Sequence, residues 1–204
     1  MDLDQNEFKK IIEFLSLENF YIDKDFIPKP IGDGQSNPTF LIRDERKNFK
    51  VLRTQPIGNL ARGAHRVDRE FSVIKALFNK GFECPQPFAL CNNPELIGRM
   101  FYVMDFEEGD INFDPFLPNE SFEDKQKIYK SLAEVLGKLH SYDIDKLGLS
   151  FKKNHGFMKR NLSLWYDQIF DDESKKDKEI EKVYKDILNK LPSESTLALL
   201  HGDF

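Results

Sequence analysis

Three groups of residues in this 204-residue chain have types and spacings suited to handling a phosphate and a hydroxyl. The first is His201-Gly202-Asp203, which follows the apolar run Leu197-Ala198-Leu199-Leu200. The run reads as a short buried strand. An Asp on the loop at its end offers a carboxylate that can take the proton of a substrate hydroxyl. Asp and Gly are also common turn residues, so a plain turn is the other reading of Asp203. The second group is Ile31-Gly32-Asp33-Gly34-Gln35-Ser36-Asn37, between two predicted strands. Glycines there let backbone N–H groups approach phosphate oxygens, although the same composition serves an ordinary turn. The third is Arg53 with Glu70. The two-residue period of a strand points Phe49, Val51 and Arg53 the same way. The guanidinium therefore either faces a lined cleft or snorkels at the strand end. Glu70 falls on or beside the stripe Val67, Phe71, Ile74 of the next helix. A strand cation paired with a carboxylate on the following helix can orient nucleotide phosphates; a purely structural ion pair is the alternative.

These residues need elements to hold them. Residues 4 to 17 read as an amphipathic helix with Asp4 as N-cap and Phe8, Ile11, Ile12 and Leu15 on one face. Strands are predicted over 26–31, 39–43 and 49–53. The last two are joined by the polar turn Asp44-Glu45-Arg46-Lys47-Asn48. A helix is predicted over 64–79, stopped at Lys80-Gly81, then strands over 88–91 and 100–105. Residues 107 to 119, with Gly109, Pro115 and Pro118, read as a linker. Helices are predicted over 122–142, 162–170 and 176–190. The order divides the chain into a strand-rich N-terminal lobe, 1–106, and a helical C-terminal part, 107–204. His140, near a helix end, reads as a packed or capping histidine. Trp165 and Tyr166 read as helix packing or as the wall of a pocket. Phe101 to Phe106 reads as an inner strand running into a loop, or as the segment beside which an adenine would lie.

Bulk composition narrows the classes. With 40% hydrophobic and 32% charged residues and 19 Phe, the chain is that of a packed globular protein. A net charge of -5 argues against nonspecific nucleic-acid binding, which needs a basic surface. Cys84 and Cys91 lack a CxxC spacing and nearby His partners, so they do not read as zinc ligands; a reducing cytoplasm is the expectation. The acidic start Met1-Asp2-Leu3-Asp4 is unlike a signal peptide, and no apolar stretch approaches a membrane span.

Taken in order, Gly34-Gln35-Ser36-Asn37-Pro38-Thr39-Phe40, Val51-Leu52-Arg53, Ala64 to Phe71, Ile97 to Phe106, Leu136 to His140 and Leu200 to Phe204 resemble the aminoglycoside phosphotransferase-like family. The likeness runs from about residue 31 to the last residue, and is strongest to the kinase domains associated with acyl-CoA dehydrogenases. It implies an α+β, protein-kinase-like two-lobed fold and an ATP- and Mg-dependent phosphotransferase acting on a small-molecule hydroxyl, with a hydroxyacyl thioester as one candidate. It further implies that the loop with Gly34, Ser36 and Asn37 covers the ATP phosphates. Arg53 takes the nucleotide-lysine role, Glu70 orients Arg53, Met104, Asp105 and Phe106 form the adenine hinge, and Asp203 is the base. Arg53 departs from the usual Lys, keeping the charge but not the geometry. The metal-binding Asn and a later Asp of the family have no counterpart within these 204 residues, so no metal ligand is assigned. The expectation is that the chain as given is incomplete and inactive, with a noncatalytic nucleotide-binding or interaction role as the alternative.

Overall fold

The computed structural model describes residues 3–32, 37–58, 65–112, 114–149, 156–170, 177–193 and 197–201. They fall into two compact units, Met1–Ala133 and Glu134–Phe204. The first is an antiparallel five-stranded sheet covered on both faces by helices. The architecture is α+β and protein-kinase-like.

Helix α1, Gln5–Leu17, starts where the sequence places it. The Asp4 carboxylate accepts from Glu7 N at 2.7 Å, and the Glu7 carboxylate accepts from Asp4 N at 3.2 Å, closing a capping box. Its apolar stripe buries Ile11 and Leu15 completely, each fully buried side chain contributing about 1.5–3 kcal/mol. Glu7 also accepts from Arg99, which is 1% exposed, at 2.9 Å. One carboxylate thus both starts the helix and fastens it to the segment just ahead of Phe101–Asp105, an inner strand of the sheet.

Strands β1 (Lys29–Pro30), β2 (Thr39–Arg43), β3 (Phe49–Thr54), β4 (Pro87–Cys91) and β5 (Phe101–Asp105) are arranged β1-β2-β3-β5-β4, every neighbouring pair antiparallel. The turn at 44–48 holds because the Asp44 carboxylate accepts from Asn48 N at 2.8 Å while Lys47 takes a positive φ of 69°. The predicted strand over 26–31 pairs only at Lys29–Pro30. Pro28 and Pro30 carry no N–H and cannot extend a ladder; the Ile31 amide still donates to Thr39 O at 2.9 Å.

Alternation divides β3 and β5 between two cores. Leu52, Phe101 and Val103 join Phe40, Ile42, Ile11 and Leu15 on the α1 face. On the other face, helix α2 (Val67–Phe78) sets Val67 and Phe71 against Tyr102, with Ile74, Leu90, Met100 and Met104 around them. Outside the cores, Asp23 is held by Lys47 and Arg43 at 2.8 and 2.7 Å, clamping the segment after α1 to the β2–β3 hairpin.

Helix α3 spans Phe122–His140, followed by a 3-10 turn over Ile144–Leu147. In the second unit, α4 (Phe157–Ile169) and α5 (Lys178–Asn189) meet through Tyr166, whose ring lies 4.1 Å from Tyr184 and 4.6 Å from Phe170. His140 is exposed at its helix end rather than packed. Trp165 is also exposed, so packing holds for Tyr166 alone. Residues 197–200 form no strand, and Leu197 and Leu200 are exposed. An apolar run becomes a strand only where an edge pairs with it, and among the described residues none does. No helix among the described residues is long and apolar enough to cross a membrane.

Candidate active site

The α2-facing side of the sheet carries a connected polar network. Arg53, on β3, stands opposite Tyr102 of β5 in the ladder. Glu70 lies in the first turn of α2, where the helix's unpaired N–H groups favour a carboxylate. The strand cation and the helix carboxylate meet as the spacing suggests: Arg53 Nε donates to Glu70 Oε2 at 2.8 Å. Arg53 Nη1 donates to Thr39 Oγ1 at 3.0 Å, so the guanidinium is held at two points across β2 and α2. A guanidinium has five N–H donors, and with its side chain 30% exposed Arg53 can present others to an anion.

Asn37, 6% exposed, donates from Nδ2 to Glu70 Oε1 at 2.8 Å. The Tyr102 hydroxyl donates to Glu70 Oε2 at 3.3 Å. Burial, and then the neighbouring Glu70 carboxylate, push the Tyr102 phenol far above its ordinary pKa. The phenol therefore stays protonated and remains a donor. Glu70 thus receives Asn37, Arg53 and Tyr102. Behind them, His65 Nδ1 lies 3.0 Å from Asn37 Oδ1, and Gln55 Nε2 donates to His65 O at 2.8 Å. Gln55 is buried and also exchanges bonds with Met100 through its backbone N and its Oε1.

Of the residues singled out from sequence, Asn37, Arg53 and Glu70 are brought together. Met104 lies on the same face, opposite Val51, against the α2 core. Asp105 does not turn that way. Its side chain binds Lys50 on the opposite face at 2.5 Å, with Asp44 3.7 Å from the same ammonium. Lys50 is 8% exposed and sits over the Phe88 ring at 4.8 Å. This pair anchors the end of β5, and the Asp105 amide is itself taken by Gln86 O at 2.9 Å. Phe106 is half-exposed, its ring 6.2 Å from Phe49. Gly34, Ser36 and Asp203 lie outside the described residues. Thr39, Tyr102 and His65 were not singled out for roles. The signal for Tyr102 is register alone, since it becomes a neighbour of Arg53 only once β3 pairs with β5.

As for the groups the resemblance implies, a cation held at two points beside a part-buried carboxylate fits an anionic phosphate chain. No cluster of three or more His, Cys, Asp or Glu that could hold a metal ion occurs among the described residues.

The phosphotransferase enzyme family matches residues 28–204. Acyl-CoA dehydrogenase family member 11 of Rattus norvegicus is 40% identical over 173 residues, 84% of this chain and 22% of that protein. The chain spans under a quarter of the length of the curated relatives it matches. Among solved structures, a Ralstonia eutropha protein classed with the aminoglycoside phosphotransferases superposes with TM-score 0.59 and 25% identity, over 79% of this chain and 46% of that one. The streptomycin-ATP-APH(2")-IIa ternary complex superposes with TM-score 0.56 and 18% identity, over 100% of this chain and 66% of that one.

Proposed function

This chain belongs to the phosphotransferase enzyme family, and from that premise we propose that it binds ATP on the Arg53 face of its sheet and serves phosphoryl transfer to the hydroxyl of a small molecule. The observation that carries the reading is the Arg53–Glu70 pair, held by Thr39, Asn37 and Tyr102 on the face opposite α1.

In this reading Arg53 contacts the nucleotide phosphates and Glu70 keeps it aimed. The stretch with Gly34, Ser36 and Asn37 lies over the phosphates. The backbone of Met104, Asp105 and Phe106 meets the adenine, with Lys50 anchoring that segment from behind. Asp203 takes the proton as the acceptor oxygen attacks the γ-phosphorus; the bond to the β–γ bridging oxygen breaks and the nucleoside diphosphate leaves. Magnesium fits as the counter-ion of the phosphates, since it is commonly held by substrate phosphates and few protein carboxylates. It would neutralise charge developing on the transferred group.

The likeness to acyl-CoA dehydrogenase family members supports an acceptor hydroxyl carried on an acyl thioester. The free thiols of Cys84 and Cys91 support a reducing cytoplasm. The test is titration of the protein with ATP, wild type against Arg53→Ala. A loss of roughly tenfold or more is expected for removing a charge-assisted phosphate contact, and unchanged affinity would remove Arg53 from the site. Binding with no turnover on any hydroxyl acceptor would favour the noncatalytic alternative.

A further inference from the structure

We propose that His65 is a positioning residue whose Nδ1–H fixes the orientation of the Asn37 amide, and through it Glu70 and Arg53. This rests on the reading of Arg53 as a phosphate contact, and it assigns a role to a residue two positions ahead of α2.

The orientation of Asn37 follows from the chemistry of its partners. A carboxylate can only accept, so the Asn37 atom 2.8 Å from Glu70 Oε1 must be the amide nitrogen. The other end of the amide is then its oxygen, and it faces His65 Nδ1 at 3.0 Å. For that contact to be a hydrogen bond, Nδ1 must carry the proton. If Nδ1 were a bare lone pair, it would face a carbonyl oxygen. That would favour the flipped amide, with its oxygen against Glu70. The tautomer of His65 therefore decides whether Glu70 gains a donor or a repulsive oxygen.

The backbone supports a specific demand at this position. His65 has φ 55°, in the left-handed region that non-glycine residues seldom occupy. Two bonds to its carbonyl hold it there, from Gln55 Nε2 at 2.8 Å and Val67 N at 3.0 Å. Strained backbone persists where surrounding contacts over-determine it. Gln55 and Asn37 are both buried, and they hold half-buried His65 at two points, Gln55 at its backbone carbonyl and Asn37 at its ring.

The substitutions separate side-chain chemistry from backbone tolerance. Asn tolerates the left-handed region and can place an amide N–H close to where Nδ1 lies. His65→Asn should therefore keep affinity for a non-hydrolysable ATP analogue with magnesium within about twofold of wild type. His65→Ala should weaken binding roughly three- to tenfold, the effect of one lost hydrogen bond. In an Asn37→Ala background, His65→Ala should cost nothing further, because the relay is already broken. The imidazole nitrogens of the wild-type protein, read by NMR without nucleotide, should show the Nδ1–H form.

An Nε2–H tautomer would overturn the proposal whether or not nucleotide binds. Unchanged affinity in His65→Ala, or additive losses with Asn37→Ala, would overturn it while leaving the Arg53 reading intact. Failure of the wild-type protein to bind the analogue would instead count against the Arg53 reading, with the tautomer still deciding the His65–Asn37 contact.

Discussion

Arg53 and Tyr102 are direct partners across the β3–β5 ladder, and both donate to the same oxygen, Oε2, of Glu70. A charged donor and a neutral one converge on one carboxylate oxygen, which has a lone pair for each. The strand pairing therefore sets the position of a helix side chain. A one-residue slip of the β3–β5 register would turn the side chains of the displaced strand over and put Arg53 and Tyr102 on opposite faces of the sheet.

Tyr102→Phe should keep the buried ring and its edge contact with Phe71 while removing the hydroxyl. A loss of about 1 kcal/mol is expected from one long hydrogen bond to a charged group. Denaturant unfolding measures it. A loss several times larger would mean that the phenol does more than hold Glu70.

Arg53→Lys should weaken ATP binding by a smaller factor than Arg53→Ala, about three- to tenfold, because an ammonium cannot reproduce the planar two-point hold on Glu70 and Thr39. Calorimetric titration of the three proteins ranks them. Full affinity in the lysine variant would show that charge alone matters there.

Lys50→Ala leaves Asp105 without its partner. The expected loss is about 2 kcal/mol, below the fully buried range because the Asp105 side chain is 31% exposed. Lys50→Met combined with Asp105→Asn should recover most of it, since neither charge then remains. Thermal unfolding of the single and double variants checks the pairing.

Asp23 gives a pH test. Lys47 first, and then Arg43, hold its carboxyl down from 3.8 to about 2 in the folded protein. Across that window the unfolded chain binds more protons than the folded one, so stability rises with pH. The contribution is fully present above the ordinary carboxylate value, declines as pH falls through it, and is gone below about 2. Asp23→Asn should flatten this part of the acid limb. Urea midpoints between roughly pH 2 and 5 compare the two proteins; an unchanged slope would dissociate Asp23 from acid stability.

In the complete parent protein, Asp203→Asn should leave ATP affinity nearly intact and cut turnover by about 10²–10⁴, the usual contribution of a positioned general base. Steady-state rates with an accepted hydroxyl substrate measure it. A variant within a small factor of wild type would rule out Asp203 as the base.

What was legible in the sequence follows the range of the interactions. Helix α1 and its cap depend on residues three and four apart, and they stand where Asp4, Glu7 and the Ile11–Leu15 stripe put them. The β2–β3 hairpin and α2 were equally readable from alternation, turn residues and helical spacing. The Arg53–Glu70 meeting was readable because the partners are only 17 positions apart, on a strand and the helix that follows it. The contacts of Tyr102 and Asn37 with Glu70 and of Lys50 with Asp105 were not, because the partners are 32, 33 and 55 positions apart and depend on register. The apolar run 197–200 misled because apolarity reports a wish for burial, not the presence of a strand edge.

The contact between Glu7 and Arg99 spans 92 positions. During synthesis at about 5–20 residues per second, α1 leaves the ribosome on the order of ten seconds before the residue that fastens it. Its capping box is local and can close at once. Ile11 and Leu15 must nevertheless wait for Phe101 and Val103 before their core is complete. Helix α1 is thus made well before β5, which secures it, and in the interval its apolar stripe is a natural landing place for a nascent-chain chaperone.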